Sequence, residues 1–85
     1  MKEKTATATL DGFEVRYYKT THMSEDGEKF YGIHAAKYVK EVFVEENETG
    51  AMSSDEKYVE DMIKMLAENE VTPYVLCEIM DEIGA

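Results

Sequence analysis

Polar and apolar residues alternate along the first half of the chain, whereas in the second half the apolar positions recur every three or four residues. The first pattern is that of half-buried strands and the second that of amphipathic helices. Thr5-Ala6-Thr7-Ala8-Thr9-Leu10 and Phe13-Glu14-Val15-Arg16-Tyr17 alternate on either side of Asp11-Gly12, a strong two-residue hairpin signal. Counting outward from that turn sets Leu10 against Phe13, Ala8 against Val15 and Ala6 against Tyr17 on one face. Thr9 then meets Glu14, and Thr7 meets Arg16, on the other. The second strand is expected to continue through Tyr18-Lys19-Thr20-Thr21-His22 to the polar turn Ser24-Glu25-Asp26-Gly27-Glu28, with Phe30-Tyr31-Gly32-Ile33 opening a third.

From Ile33 to Val44 both periods fit: Val42 and Val44 alternate with polar neighbours, while Ala35, Ala36, Val39 and Val42 lie on a helical stripe. The β-rich Val39 and Val42-Phe43-Val44 favour strand, with a turn near Lys40. Glu45-Glu46-Asn47-Glu48-Thr49-Gly50 reads as a charged loop, and Ser53 with Glu56 as a capping box. The helix that follows buries Val59, Met62, Ile63 and Leu66 and turns Lys57, Glu60, Asp61, Lys64 and Glu68 outward, with Glu60 and Lys64 as an i,i+4 pair. Thr72 as N-cap and Pro73 as first helical residue start a second helix with Leu76, Ile79, Met80 and Ile83 on its apolar face and Gly84 as its cap; Asp81 and Glu82 oppose its dipole. These elements predict a small two-layer α+β domain spanning residues 1–85. An antiparallel meander of about four strands (1–48) precedes two C-terminal helices (53–84) packed on one face.

Three landmarks in order, Tyr31-Gly32-Ile33, Ser53-Ser54-Asp55 and Val71-Thr72-Pro73, resemble those of an uncharacterised family of short Firmicutes proteins, a domain of unknown function. The resemblance spans roughly residues 15–83 and rests on caps and packing positions. It implies a bacterial or mobile-element origin and supplies no active site. That family leads with shorter strands, so the N-terminal hairpin leaves strand order open.

With 85 residues the chain forms one modest core, and 44% apolar residues with six tyrosines and three phenylalanines are ample to fold despite the high charge. Cys77 is the only cysteine, so an internal disulfide is excluded. Met1-Lys2-Glu3-Lys4-Thr5 lacks a signal peptide's apolar region, and a cytoplasmic protein is expected. Charge changes the picture most. Residues 1–40 carry seven basic and six acidic side chains, while residues 41–85 carry thirteen acidic ones against Lys57 and Lys64, and the net charge is −10. Such a field repels phosphate backbones and anionic membranes and attracts basic protein surfaces.

The candidate chemistry is thin. Glu45, Asn47, Thr49, Gly50 and Glu56 fit an EF-hand-like calcium frame, but position 1 wants Asp and the preceding segment reads as strand. His22 and His34 supply two imidazoles without a third ligand. Cys77 near a helix start has anionic and apolar neighbours, which suit a structural thiol. Ser53 and Ser54 read as caps. The methionines Met62, Met65 and Met80 read as core, and the tyrosines as packing for the sheet and its rim.

No catalytic residue, metal or cofactor is therefore expected. The chain reads as a non-enzymatic acidic protein that inhibits or regulates a nucleic-acid-handling protein, such as a CRISPR or restriction nuclease, by charge mimicry. The expected contact residues are Glu45, Glu46, Glu48, Asp55, Glu56, Glu60, Asp61 and Glu68. The expected partner is a basic protein surface, with neither nucleic acid nor membrane bound directly, and an open edge strand offers a route to a homodimer. The alternative is an interaction module using an apolar sheet face with Phe30, Tyr31 and Phe43.

Overall fold

The computed structural model describes residues 2–82, with the side chains of Cys77, Ile79, Met80, Asp81 and Glu82 outside that description. The parts assigned above to Ile83 and Gly84, and to those five side chains, therefore lie outside the described residues.

Strands β1 (Lys2–Leu10), β2 (Phe13–Met23), β3 (Lys29–Val39) and β4 (Val42–Glu48) precede helices α1 (Glu56–Glu68) and α2 (Pro73–Glu82). The strands form one antiparallel meander in the order β1-β2-β3-β4. The hairpin register is the expected one, from Leu10 opposite Phe13 to Ala6 opposite Tyr17, with Gly12 at φ 93° in the turn. A bulge between Lys4 and Ala6 then shifts the start of β1 by one residue. The ambiguous stretch after Ile33 is strand, and β3 returns into β4 through Lys40 and Glu41.

Both helices pack on one face of the sheet. Val15 and Tyr17 from β2 and Ile33 and Ala35 from β3 meet Val59, Ile63 and Leu66 of α1 and Leu76 of α2 in a core that excludes water. The α1 stripe is the one expected from its apolar spacing. Its close ties to the sheet follow from the chain's path. After β4, Thr49 donates its backbone N–H to the Ile33 carbonyl, Gly50 kinks the strand at φ 75°, and Ser53 re-pairs with Tyr31. A Cβ on Gly32 would stand 1.9 Å from the Gly50 carbonyl oxygen, so Tyr31-Gly32-Ile33 is a landmark because backbone crosses backbone there.

Local expectations differ at three points. Glu45–Glu48 belong to β4 rather than to a loop, because β3 extends far enough to pair with them. The N-cap of α1 is Asp55, not Ser53: Ser53 is held extended by its backbone pairing with Tyr31, and Asp55 accepts from the Tyr58 N–H at 3.2 Å. Glu60 does not lie outward with Lys64, since it turns under the sheet to Lys19.

The C-terminus of α1 is a Schellman motif. The Val71 N–H reaches back to the Leu66 carbonyl at 3.0 Å and the Glu70 N–H to the Ala67 carbonyl at 3.1 Å. Glu70 occupies the left-handed position, φ 54°, that glycine usually fills. Among the described residues no helix is long and apolar enough to cross a membrane.

Candidate binding surface

The inward alternation of β2, Phe13-Val15-Tyr17, reaches Lys19 next, which places an ammonium beneath α1. Lys19 is only 4% exposed. Its Nζ donates to the Glu56 carboxylate and, at 2.7 Å, to that of Glu60, and it lies 5.8 Å from the centre of the Tyr31 ring. The two carboxylates raise its pKa above the ordinary lysine value. Two of the expected contact acids, Glu56 and Glu60, therefore clamp α1 to the sheet. Sequence reasoning passed over this lysine, although its place in the strand alternation marked it.

Tyr17 plays a parallel part at the other end of α1. Its hydroxyl donates to the Val71 carbonyl at 2.5 Å and approaches that of Leu66 at 3.4 Å, at full burial. Burial, assisted by the nearby charge of Glu70, pushes its pKa up to about 12.

The remaining expected contact residues do not form one patch. Glu45 stands opposite Lys37 on the helix side of the sheet, whereas Glu46 and Glu48 lie on the opposite, open side beside His34. Glu46 accepts from His34 Nε2 at 3.3 Å. Asp55 caps α1, and Asp61 pairs with Lys57 at 3.4 Å. The exposed stripe of α1 reads Lys57, Asp61, Lys64, Glu68, alternating in sign rather than presenting a row of carboxylates.

Anionic character instead gathers where α1 ends. Glu68 and Glu70 are exposed there, and the last turn of the helix holds no basic residue to offset its negative dipole end. Glu70 belongs to the lining of a groove of about 460 Å³, together with Met65, Leu66, Asn69, Val71, Thr72 and Val75. Exposed Tyr74 and Met65 project nearby. The groove escaped sequence reasoning because it forms only where the end of α1 meets the start of α2. Its one local signal was the helix break at Asn69-Glu70-Val71.

The open face of the sheet has a different chemistry. Arg16 lies 3.9 Å from the centre of the Tyr38 ring, which meets Phe43 edge-on at 5.9 Å. Tyr18 tilts against His34 at 5.5 Å, and Lys2 Nζ lies 3.4 Å from His34 Nδ1. Glu14 accepts from Arg16 at 2.5 Å and favours its charged form further. Phe30 and Phe43 share this face, but Tyr31 points to the helix side, so the apolar triad considered above is divided between two faces.

The metal frames do not converge. Asn47 donates to the Pro73 carbonyl, Thr49 to that of Gly50, and Glu45 is fixed in a strand. His34 is paired with Tyr18 and His22 with Phe30, four residues apart along β2, or about 13 Å at strand rise. Among the described residues no three His, Cys, Asp or Glu side chains come together to hold a metal ion.

No curated protein and no solved structure is significantly similar to the chain. A family model does match, over residues 1–85, and the chain belongs to that family, the Family of unknown function (DUF6514).

Proposed function

We propose that the chain is a non-catalytic binding protein that docks a basic segment of another protein in the groove between α1 and α2, and that this partner handles nucleic acid. The observation that carries the reading is the coincidence, at one place, of an apolar groove, the exposed carboxylate of Glu70 in its lining, and the C-terminal end of α1, whose last turn holds no basic residue. An apolar floor accepts the stem of a lysine or arginine or a neighbouring apolar side chain, while the acidic rim takes the charge. The segment-wise acidity of the chain steers such a partner from a distance.

This narrows the expected surface. Charge mimicry along the α1 stripe is weakened by Lys57 and Lys64, and by the use of Glu56 and Glu60 in holding Lys19. An NMR titration of the labelled chain with a synthetic peptide of alternating leucine and lysine tests the location. The expected shifts centre on residues 69–75; shifts centred on β4 or spread over every acidic segment would refute the groove. For the nucleic-acid part of the reading, a protein captured through the groove should be released by duplex DNA.

A further inference from the structure

The open sheet face carries oppositely charged flanks and a mixed aromatic centre, and the register places these in single cross-strand rows. Lys4 on β1 stands opposite Tyr18 on β2, Tyr18 opposite His34 on β3, and His34 opposite Glu48 on β4. The row therefore runs cation, aromatic, imidazole, anion from one edge of the sheet to the other. Its neighbour runs Thr7, Arg16, Ala36, Glu46. Lys4 marks the β1 flank of this face and Glu48 the β4 flank, while the charged groups of Lys2 and Glu46 lean inward to His34.

We propose that this face is a homodimer interface in which two copies stack sheet on sheet about a two-fold axis parallel to the strands. That operation lays β1 of one copy across β4 of the second, and β2 across β3. It brings Lys4 over Glu48 of the second copy and sets the half-buried Arg16 and Tyr18 of one copy against the β3 side of the other, where His34 and Ala36 are already buried and Tyr38 is half-exposed. Every such contact occurs twice, as an isologous interface requires. Aligned sheet packing at about −30° preserves the row order near the centre of the face. The alternative axis, perpendicular to the strands in the plane between the sheets, sets β1 over β1 and β4 over β4 and opposes like charges, so the charge pattern selects one arrangement.

Size and charge are compatible with the pairing. Four strands about 4.8 Å apart and averaging roughly 30 Å in length give a footprint of roughly 600 Å², the size of a small, concentration-dependent interface rather than the ~800 Å² per partner of a standard one. Phe43, half exposed, and the Arg16–Tyr38 stack supply residue types that anchor such interfaces. The net charge of −10 would oppose association if it lay on this face. The helix layers instead lie behind the sheets, about 30 Å apart in the stacked pair and several times the ~8 Å screening length of physiological salt.

The proposal uses a surface separate from the α1–α2 groove, and each fails independently of the other. The test is sedimentation equilibrium of the full chain, wild type against two flank variants, K2E/K4E and E46K/E48K, with thermal melts confirming that each variant folds. The wild type is expected to dimerise with rising concentration, and each variant alone to dissociate roughly tenfold more readily. An equimolar mixture of the two variants is expected to recover dimer. In the mixed pair the carboxylate introduced at position 4 of one chain meets the ammonium introduced at position 48 of the other, and the second contact keeps the native Lys4 and Glu48. A wild type that stays monomeric at millimolar concentration overturns the interface. So does a dimer that both variants preserve, and a dimer lost instead when Val44→Pro blocks the β4 edge points to edge pairing.

Discussion

Lys19 shows how one side chain fixes the relation of two layers. Its ammonium is enclosed, but the two carboxylates that hold it keep 50% and 39% of their side-chain surface in solvent. The consequences of breaking the cluster are therefore unequal. Lys19→Met leaves two acids that water can solvate and is expected to cost about 1 kcal/mol or less. Glu56→Ala with Glu60→Ala leaves a charge enclosed without a counter-ion and is expected to cost about 3 kcal/mol. Urea unfolding of both variants measures the difference, and equal costs would mean that the lysine is better solvated than its burial indicates.

Tyr17 adds a dependence on pH. Its folded pKa is about 12 against an ordinary value of 10.0, because burial disfavours the phenolate. A raised pKa gives a contribution that is complete below about pH 10 and is lost as pH rises through about 12. It is worth roughly 2–3 kcal/mol. Lys19, also raised, acts in the same direction. Stability is expected to hold up to about pH 10 and fall above it. Tyr17→Phe should lower the plateau by about 1–2 kcal/mol, through the lost bond to the Val71 carbonyl, and flatten the alkaline fall. Chemical denaturation at stepped pH reads both effects.

Among the elements, the hairpin β1–β2 was legible down to its register because the turn signal, the alternation and the cross-strand pairs are all local. The β3–β4 turn was legible in place but not in cost. Lys40 and Glu41 have φ 51° and 66°, a conformation that suits Asn-Gly far better. Glu41→Gly is expected to raise stability by about 1 kcal/mol, measured as an upward shift in the urea midpoint; no shift would mean that the turn relaxes in solution. The start of α1 was misplaced by two residues for a non-local reason. Nothing near Ser53 in sequence announces that its backbone pairs with Tyr31, twenty-two positions earlier. The carboxylates of Glu56 and Glu60 illustrate the same limit. Their helical spacing was plain, but their common partner lies on a strand, and only the extended alternation of β2 pointed to it.

For the whole molecule, the asymmetry of charge along the chain becomes an asymmetry between layers. The sheet's open face balances Lys2, Lys4 and Arg16 against Glu14, Glu46 and Glu48, while Glu68 and Glu70 sit without a cation in the same turn at the end of α1. Net charge alone does not locate a binding site, since any strongly acidic protein attracts a basic peptide. Location is tested by moving equal charge at two places. The binding of a leucine–lysine peptide should be measured by calorimetry at several salt concentrations for Glu68→Lys with Glu70→Lys and for Glu25→Lys with Asp26→Lys, exposed acids of the β2–β3 turn. The groove variant is expected to lose roughly tenfold or more in affinity, and the turn variant only the small, salt-screened part common to both. Equal losses in the two variants would contradict docking at the α1–α2 groove.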